Sequence, residues 1–340
     1  MVFLTREKLK QLLGNLSEQE LEQQTNIDLK NVDSIIDCQT FNGLTNLISL
    51  DIVVGQLSTL HPLIFNGLTS LRYLSLTCNR ISSLDPRTFA GLTSLESLDL
   101  SKNEISSLGF ETFNGLTRLE SLNLSKNNIG HLCSKTFNGL SGLQSLWLSS
   151  NKIRTISPQA FNGLTSLQTL SLCNNKINTI DPEPFNELPS LKTLYLSNNK
   201  ISSLDPQAFN GLTSLSSLCL WNNQLSTIDP QAFNGLTSLS SLSLWNNKIN
   251  AIHPETFNGL TLLESLDLQD NQINSLDPRI FNGLINLKNL DLGNNKISSL
   301  DPQIFNGLTS LQTLELWNNQ LGSLDPVLIS SLPSMFHFRI

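Results

Sequence analysis

The sequence predicts an α/β fold, a solenoid of short stacked strands closed at its N-terminus by a helical cap. Three observations carry that prediction. Phenylalanine returns every 24 residues, at Phe41, Phe65, Phe89, Phe113, Phe137, Phe161, Phe185, Phe209, Phe233, Phe257, Phe281 and Phe305, with no step lengthened or shortened. Between them runs one frame, L-x-x-L-x-L-x-x-N-x-I-x-x-L-D-P-x-x-F-N-G-L-T-S, numbered here from its first leucine. Ahead of the repeat, leucines fall at helical rather than strand spacing. A fixed period in this range marks an array in which each unit buries its apolar face only against its neighbours.

The N-terminal residues 1–26 stand outside the frame. Leu9, Leu12, Leu13 and Leu16 have the i, i+3, i+4, i+7 spacing of an amphipathic helix, with Thr5 as its N-cap and Gly14 at its end. Ser17-Glu-Gln-Glu20 is a capping box that opens a second short helix. A solenoid needs its first apolar layer covered, and this pair is assigned that task. The alternative is a docking helix for another protein. Residues 27–340 form the array: a degenerate first coil over 27–46, about twelve 24-residue units, and a partial last one. Ile27-Asp-Leu29 alternates like a strand but sits one residue out of register, and Ile35 and Ile36 then lead to Phe41. The next unit carries Val53, Val54 and Gly55 where its neighbours have polar residues and Asn, which makes its strand edge unusually apolar.

Within a regular unit, such as the one beginning at Leu239, the leucines at positions 1, 4 and 6 (Leu239, Leu242, Leu244) give a short strand with one face inward. Asn247 at position 9 follows where the chain must turn. A buried amide there can bond backbone groups that the turn leaves unpaired, and stacked units repeat those bonds as a ladder. Proline at position 16 in ten units fixes φ and discourages a second ladder. Phe at position 19 and Leu at position 22 close the core from the other side. At the C-terminal end Leu328-Ile329 replaces the Phe, and Met335, Phe338 and Ile340 take positions 1, 4 and 6 of one more strand. That edge predicts self-association through residues 327–340, or a longer protein that supplies a cap.

From about Leu44 onward this pattern resembles the leucine-rich repeat family in its 24-residue class, found in Toll-like receptor ectodomains, Slit proteins and the variable lymphocyte receptors of jawless fish. The resemblance implies a curved right-handed solenoid with a concave parallel β-sheet, a Phe-lined convex side and a role in ligand recognition. The cysteine-rich caps of the secreted relatives are missing. Cys38, Cys78, Cys133, Cys173 and Cys219 never share a unit or lie in adjacent units. A two-unit gap is roughly 10 Å, whereas disulfide Cα atoms sit within about 7 Å, so five free thiols are expected.

The net charge of −7, with 14% charged residues and no basic run, argues against nucleic acid as a partner. No apolar run approaches the ~20 residues of a membrane span. Met1-Val-Phe-Leu4 is followed at once by Arg6, Glu7 and Lys8, so no signal-peptide core is present. As written the chain reads as cytoplasmic, or as extracellular with its leader removed.

His61, His131, His253 and His337 are scattered, and no His/Cys/carboxylate cluster has ligand spacing. No Ser or Cys nucleophile is expected to have a partner, so no enzyme, metal or cofactor is predicted. Outward positions 3, 5, 7 and 8 are taken as free to vary and therefore as the place to seek function. All four tryptophans fall there: Trp147 at position 5, and Trp221, Trp245 and Trp317 at position 7, with Tyr195 at position 5. Exposed aromatics are enriched at interface hot spots. The competing explanation is that one Trp was copied when a unit duplicated. Asp267, Asp291 and Glu315 occupy position 5 of three successive units, where like charges repel and a basic partner would relieve them. The lysines at position 10, Lys152, Lys176, Lys200, Lys248 and Lys296, read as a solvated edge. Two glycosylation sequons occur, at Asn15 and Asn123, the latter on the sheet. The expected function is a non-enzymatic module that binds a protein or glycan on its concave face. The alternative is an intracellular scaffold that docks through the N-terminal helices or a further domain.

Overall fold

The computed structural model describes residues 3–30, 35–322, 326–330, 332 and 337–339. The chain divides into two compact units, Met1–Leu170 and Ser171–Ile340.

The first unit opens with a strand, Phe3–Leu4, which the leucine spacing does not announce; it pairs in parallel with Ile35–Ile36. Helix α1 (Arg6–Leu12) begins where the Thr5 side chain accepts from the Lys8 N–H, and positive-φ Gly14 follows its C-cap. Helix α2 (Glu18–Glu22) has the complete capping box: Ser17 N–H donates to Glu20 at 2.8 Å and Glu20 N–H to Ser17 Oγ at 3.3 Å. The expected apolar stripe is narrower than its spacing implies. Leu9 is fully buried, but Leu12 is 49% exposed and Leu13 and Leu16 are half-buried. Seven residues give α1 too few turns to bury two leucine rows, and Leu21 of α2 supplies the second buried contact. Both helices are tied to the first coil. Arg6 pairs with Glu18 at 2.5 Å and donates to the Asn42 carbonyl, Asn46 Nδ2 donates to the Glu22 carbonyl, and Thr40 Oγ1 to the Leu4 carbonyl.

The strand Asn26–Lys30 corrects the register reading. Ile27 pairs with Leu50 and Leu29 with Ile52, so both sit at inward positions 4 and 6. The missing residue falls between Leu29 and Phe41. From there the unit stacks Ser49–Val53, Tyr73–Ser75, Ser97–Asp99, Ser121–Asn123 and Ser145–Trp147 as consecutive parallel neighbours. In the second unit Thr193–Tyr195, Ser217–Cys219, Ser241–Ser243, Ser265–Asp267, Asn289–Asp291, Thr313–Glu315 and His337–Arg339 do the same. From Ser49–Val53 onward each of these steps pairs residues 24 apart, so the leucines at position 4 stack on one another. Phe338 takes the position opposite Leu314. Met335, Phe336 and Ile340, on which the end-to-end association rests, lie outside the described residues.

The asparagine at position 9 works as a bracket between coils. Asn247, only 7% exposed, donates to the carbonyls of Leu244 in its own coil and Leu220 in the coil before, at 3.0 and 3.1 Å. Its oxygen accepts from the buried Leu225 N–H at 3.1 Å. The same set of bonds recurs at Asn103, Asn127, Asn199, Asn223, Asn271 and Asn295. Position 8, by contrast, is not free to vary. From Cys78 to Asn318 its residues hold φ between 52 and 59°, a left-handed region that Asn and Asp tolerate best. That is why Asn174, Asn198, Asn222, Asn246, Asp270, Asn294 and Asn318 stand there. In the early coil the left-handed residue is Gly55, one place later, and Val54 turns inward to 3% exposure.

On the opposite side the Phe rings stack with centroids 6.0–6.5 Å apart and are all but fully buried. That exceeds the ~4.8 Å between paired strands, so within each unit the strand face lies on the inside of the bend. Short second ladders do form, two residues long: His131–Leu132, in a coil with Ser134 in place of proline, pairs with Thr155–Ile156, and Thr179–Ile180 pairs with Ser203–Leu204 ahead of their prolines. Position 18 is a buried site that the sequence reading missed. It is filled by Thr40, Ile64, Thr88, Thr112, Thr136, Ala160, Pro184, Ala208, Ala232, Thr256, Ile280, Ile304 and Leu328.

Candidate recognition surface on the strand face

Residues at positions 3, 5 and 7 of each strand leave the sheet on the face away from the core. In the second unit this brings together Tyr195, Trp221, Trp245, Asp267, Asp291, Glu315 and Trp317, all half-buried. Trp147 lies in the first unit, also half-buried, on the strand Ser145–Trp147. The centre of the face is the pair Trp221 and Trp245, whose rings stack with centroids 4.9 Å apart and planes 12° from parallel. The strand spacing of the sheet sets that distance, and the parallel offset arrangement suits the ring quadrupoles.

Trp317 is in a different setting. Position 7 of the preceding coil is Gly293, where an added Cβ would lie 2.4 Å from Trp317 Nε1. The ring therefore packs down on the Gly293 backbone. The Arg339 guanidinium carbon stands 5.4 Å from the Trp317 ring centroid, a cation–π distance.

The carboxylates have a local task as well as a charge. Asp267 accepts from Gln269 N–H at 3.1 Å and Asp291 from Gly293 N–H at 2.8 Å. Asp99 and Asn123 accept in the same way from Ser101 and Ser125. A position-5 acceptor thus satisfies the N–H that leaves the strand, which explains the recurrence of Asp and Asn there. Burial pushes the Asp267 carboxyl up to about 6; the Gln269 N–H opposes this, while Asp291 and Asp270 add to it. Asp291 is also raised, chiefly by burial, with Glu315 and Asp270 adding and Arg339 opposing. Glu315 faces His337 at 3.8 Å and keeps one carboxylate oxygen buried with no hydrogen-bond partner among the described residues. No lysine or arginine among the described residues forms an ion pair with Asp267, Asp270 or Asp291. Beside the carboxylates runs a ladder of position-8 amides. Asn246 donates to Asn222 at 2.8 Å, and Asn222 in turn to Asn198; further along, Asn318 donates to Asn294, and Asn294 to Asp270.

Other candidates resolve into local structure. His61 and His253 stand in the Asp slot because Nδ1 accepts from the N–H two residues on, at 3.2 and 3.3 Å, as Asp85 and Asp277 do in their coils. The lattice does bring one nucleophile to a histidine, against expectation: Ser157 Oγ is 3.1 Å from His131 Nε2. The other ring nitrogen meets Thr155 Oγ1 at 2.6 Å rather than a carboxylate. Asn123, the sequon on the sheet, has its amide engaged with Asp99 and Ser125, whereas Asn15 is exposed. The five cysteines are free, and the position-10 lysines are exposed. Among the described residues there is no group of three or more His, Cys, Asp or Glu arranged to hold a metal ion. No helix among them is long and apolar enough to cross a membrane.

The leucine rich repeat family profile matches residues 69–129, 117–172, 165–225, 213–273, 237–286, 261–321 and 285–340. The chain belongs to the leucine-rich repeat family. Among solved structures, this leucine-rich repeat chain is similar to TLR13 in its complex with ssRNA13, with 26% identity and a TM-score of 0.78, covering 100% of this chain and 52% of that one. It is similar in fold to Toll of the Drosophila Toll–Spatzle complex, with 22% identity and a TM-score of 0.83, covering 96% of this chain and 42% of that one. It is also similar to the internalin inlF of Listeria monocytogenes, with 26% identity, a TM-score of 0.71 and coverage of 98% and 93%. The leucine-rich repeat chain thus spans about half the length of the TLR13 and Toll chains. No curated protein matches it at a significant level. The exclusion of nucleic acid from composition is corrected by these relatives, because a chain of this fold is in complex with single-stranded RNA. Leucine-rich repeat proteins are generally binding scaffolds, and a recognition role is consistent with these neighbours.

Proposed function

We infer that the strand face of the second unit recognises a protein ligand, with Trp221 and Trp245 as its anchor and Tyr195, Trp317, Asp267, Asp291 and Glu315 around it. The single observation that carries this reading is the stacked tryptophan pair on the solvent side of a sheet whose core leucines need no help from it. Paired indoles left half-exposed contribute little to folding, and large rigid aromatics dominate interface energetics. Each ring spends one face on the other and leaves its outer face and edges for a ligand, an arrangement a protein side chain can pack against. Trp147 extends the reading to the first unit as a separate anchor.

The test is to pan a random-peptide library on the parent and recover binders. Trp221→Ser/Trp245→Ser should retain its circular dichroism spectrum and lose those binders, whereas Lys176→Glu/Lys200→Glu at the position-10 edge should keep them. Binders that ignore the tryptophans would overturn the assignment of the face.

A further inference from the structure

We propose that the strand face from Trp221 to Asp291 takes an arginine-bearing, cationic segment of a protein partner, seating a guanidinium between the tryptophan pair and the Asp267 and Asp291 carboxylates. This rests on the reading of that face as a recognition surface and names the chemistry of its ligand.

The argument begins with charge complementarity. Asp267, Asp291 and Glu315 lie directly opposite one another on three neighbouring strands, with Asp270 coupled to the first two. Like charges placed this way repel. Backbone N–H groups from Gln269 and Gly293 satisfy one oxygen of each aspartate but carry no full charge. Among the described residues the acidic column meets a cation only towards its Glu315 end, where Arg339 pairs in register with Glu315 and its charge also reaches Asp291.

Arg339 is also the second and independent observation, because it shows how this lattice holds a guanidinium. Its guanidinium lies over the position-7 ring of Trp317, and Arg339 is the strand residue that pairs in register with Glu315. A flat, weakly hydrated guanidinium suits an indole face next to a carboxylate column, whereas an ammonium is a compact, strongly hydrated point charge. The same two kinds of side chain occur at Trp245 and Asp267, here on adjacent coils rather than one: an indole at position 7 and a carboxylate at position 5 of the next strand. No arginine among the described residues stands over Trp245. Asn222 and Asn246 border the site with amides already committed to their own ladder, which keeps that flank ordered. The sheet fixes all of these groups before a ligand arrives, so little ordering is lost on binding.

Two synthetic peptides serve as probes, one with four arginines alternating with glycine and one with lysine in their place, followed by tryptophan fluorescence of the parent. The arginine peptide should quench fluorescence and bind more tightly than the lysine peptide. Asp267→Asn/Asp291→Asn keeps the acceptors for Gln269 and Gly293 N–H and removes only charge; it should weaken the arginine peptide about tenfold, the worth of one or two close charge pairs. Trp245→Ser should do the same without altering the far-ultraviolet spectrum. Equal binding of the two peptides, or binding indifferent to the double neutralisation, would overturn the proposal. So would a single-stranded oligonucleotide that competes for the same tryptophans. If the panned binders above need Trp221 and Trp245 yet carry no excess of arginine, the recognition surface stands and the cationic ligand alone is lost.

Discussion

Replacing Asn247 by alanine probes the bond system that closes each turn, and its cost follows from the geometry. Four hydrogen bonds disappear, but they are unequal. The longest, to the Trp245 carbonyl at 3.4 Å, leaves that oxygen its bond from the Asn222 N–H. The Leu244 carbonyl keeps Asn271 as a donor at 3.0 Å, and the Leu220 carbonyl keeps Asn223 at 2.9 Å. Leu225 N–H is fully buried and loses the side-chain oxygen it donates to. The orphaned N–H costs about 2 kcal/mol and the two halved carbonyls together about 1 kcal/mol, a loss of about 3 kcal/mol. Urea denaturation followed by circular dichroism should show that loss as a lower midpoint with an unchanged slope. Hydrogen exchange at the Leu225 amide should accelerate most. Asn247→Asp separates the two halves of the amide. It retains the acceptor for Leu225 but aims a carboxylate at two carbonyls, so at neutral pH it should be worse than alanine and recover as pH falls. A loss for Asn247→Ala within about 0.5 kcal/mol, the usual range of surface changes, would refute the reasoning: the bracket would then add nothing beyond packing.

Three further outcomes are expected. The folded-state pKa of Asp267 is raised from 3.8 to about 6, so the native state holds its proton more tightly and stability falls as pH rises from about 4 to 6. Asp267→Asn should therefore be more stable than the parent at pH 7, by about 1 kcal/mol once solvent access is allowed for, and equal to it below pH 4; melting curves across that window check the sign. Gly293→Ala drives a Cβ into the Trp317 ring, so its tryptophan emission should shift and the Arg339 contact should be lost. Thr112 is 1% exposed and its hydroxyl has no hydrogen-bond partner in the protein, so Thr112→Val should stabilise by about 1 kcal/mol; Thr40→Val, which removes the bond to the Leu4 carbonyl, should destabilise instead.

The parts of this molecule that repeat were legible because one unit's chemistry, multiplied, cannot be mistaken. The Phe period gave the stack, position 9 gave the ladder, and the capping box at Ser17 gave a helix start to the residue. What stayed hidden were the positions whose constraint is backbone geometry rather than side-chain type. Position 8 looks variable because Cys78, Lys102 and Ser150 occupy it, yet all three adopt the same left-handed turn as the asparagines. Position 5 looks like free surface, yet its Asp and Asn side chains satisfy the strand's departing N–H. The candidate site was visible as a column of tryptophans, but not the inequality among them. Only the structure separates the self-stacked Trp221–Trp245 pair from Trp317, pressed on Gly293 and covered by arginine. The Ser157–His131 contact was missed because it forms across 26 residues, off the repeat period.

The sharing of carbonyls between successive asparagines makes inheritance and closure different sizes. A coil is copied in steps of 24 residues, but no coil is complete by itself: Leu220 O is bonded by Asn223 and by Asn247, one coil on. Removing a whole period between two equivalent atoms brings the next asparagine to the same carbonyl and heals the chain without a scar. Removing one residue leaves every later bracket a place short, unless the shortfall lies outside the stacked strands, as the one between Leu29 and Phe41 does. The segments Phe209–Asn223 and Phe233–Asn247, alike except at Cys219 and Ser243, are what such a splice looks like from the other direction. Length in this protein is therefore adjustable in whole turns, and a ligand's reach along the sheet can be lengthened or shortened without reinventing the fold.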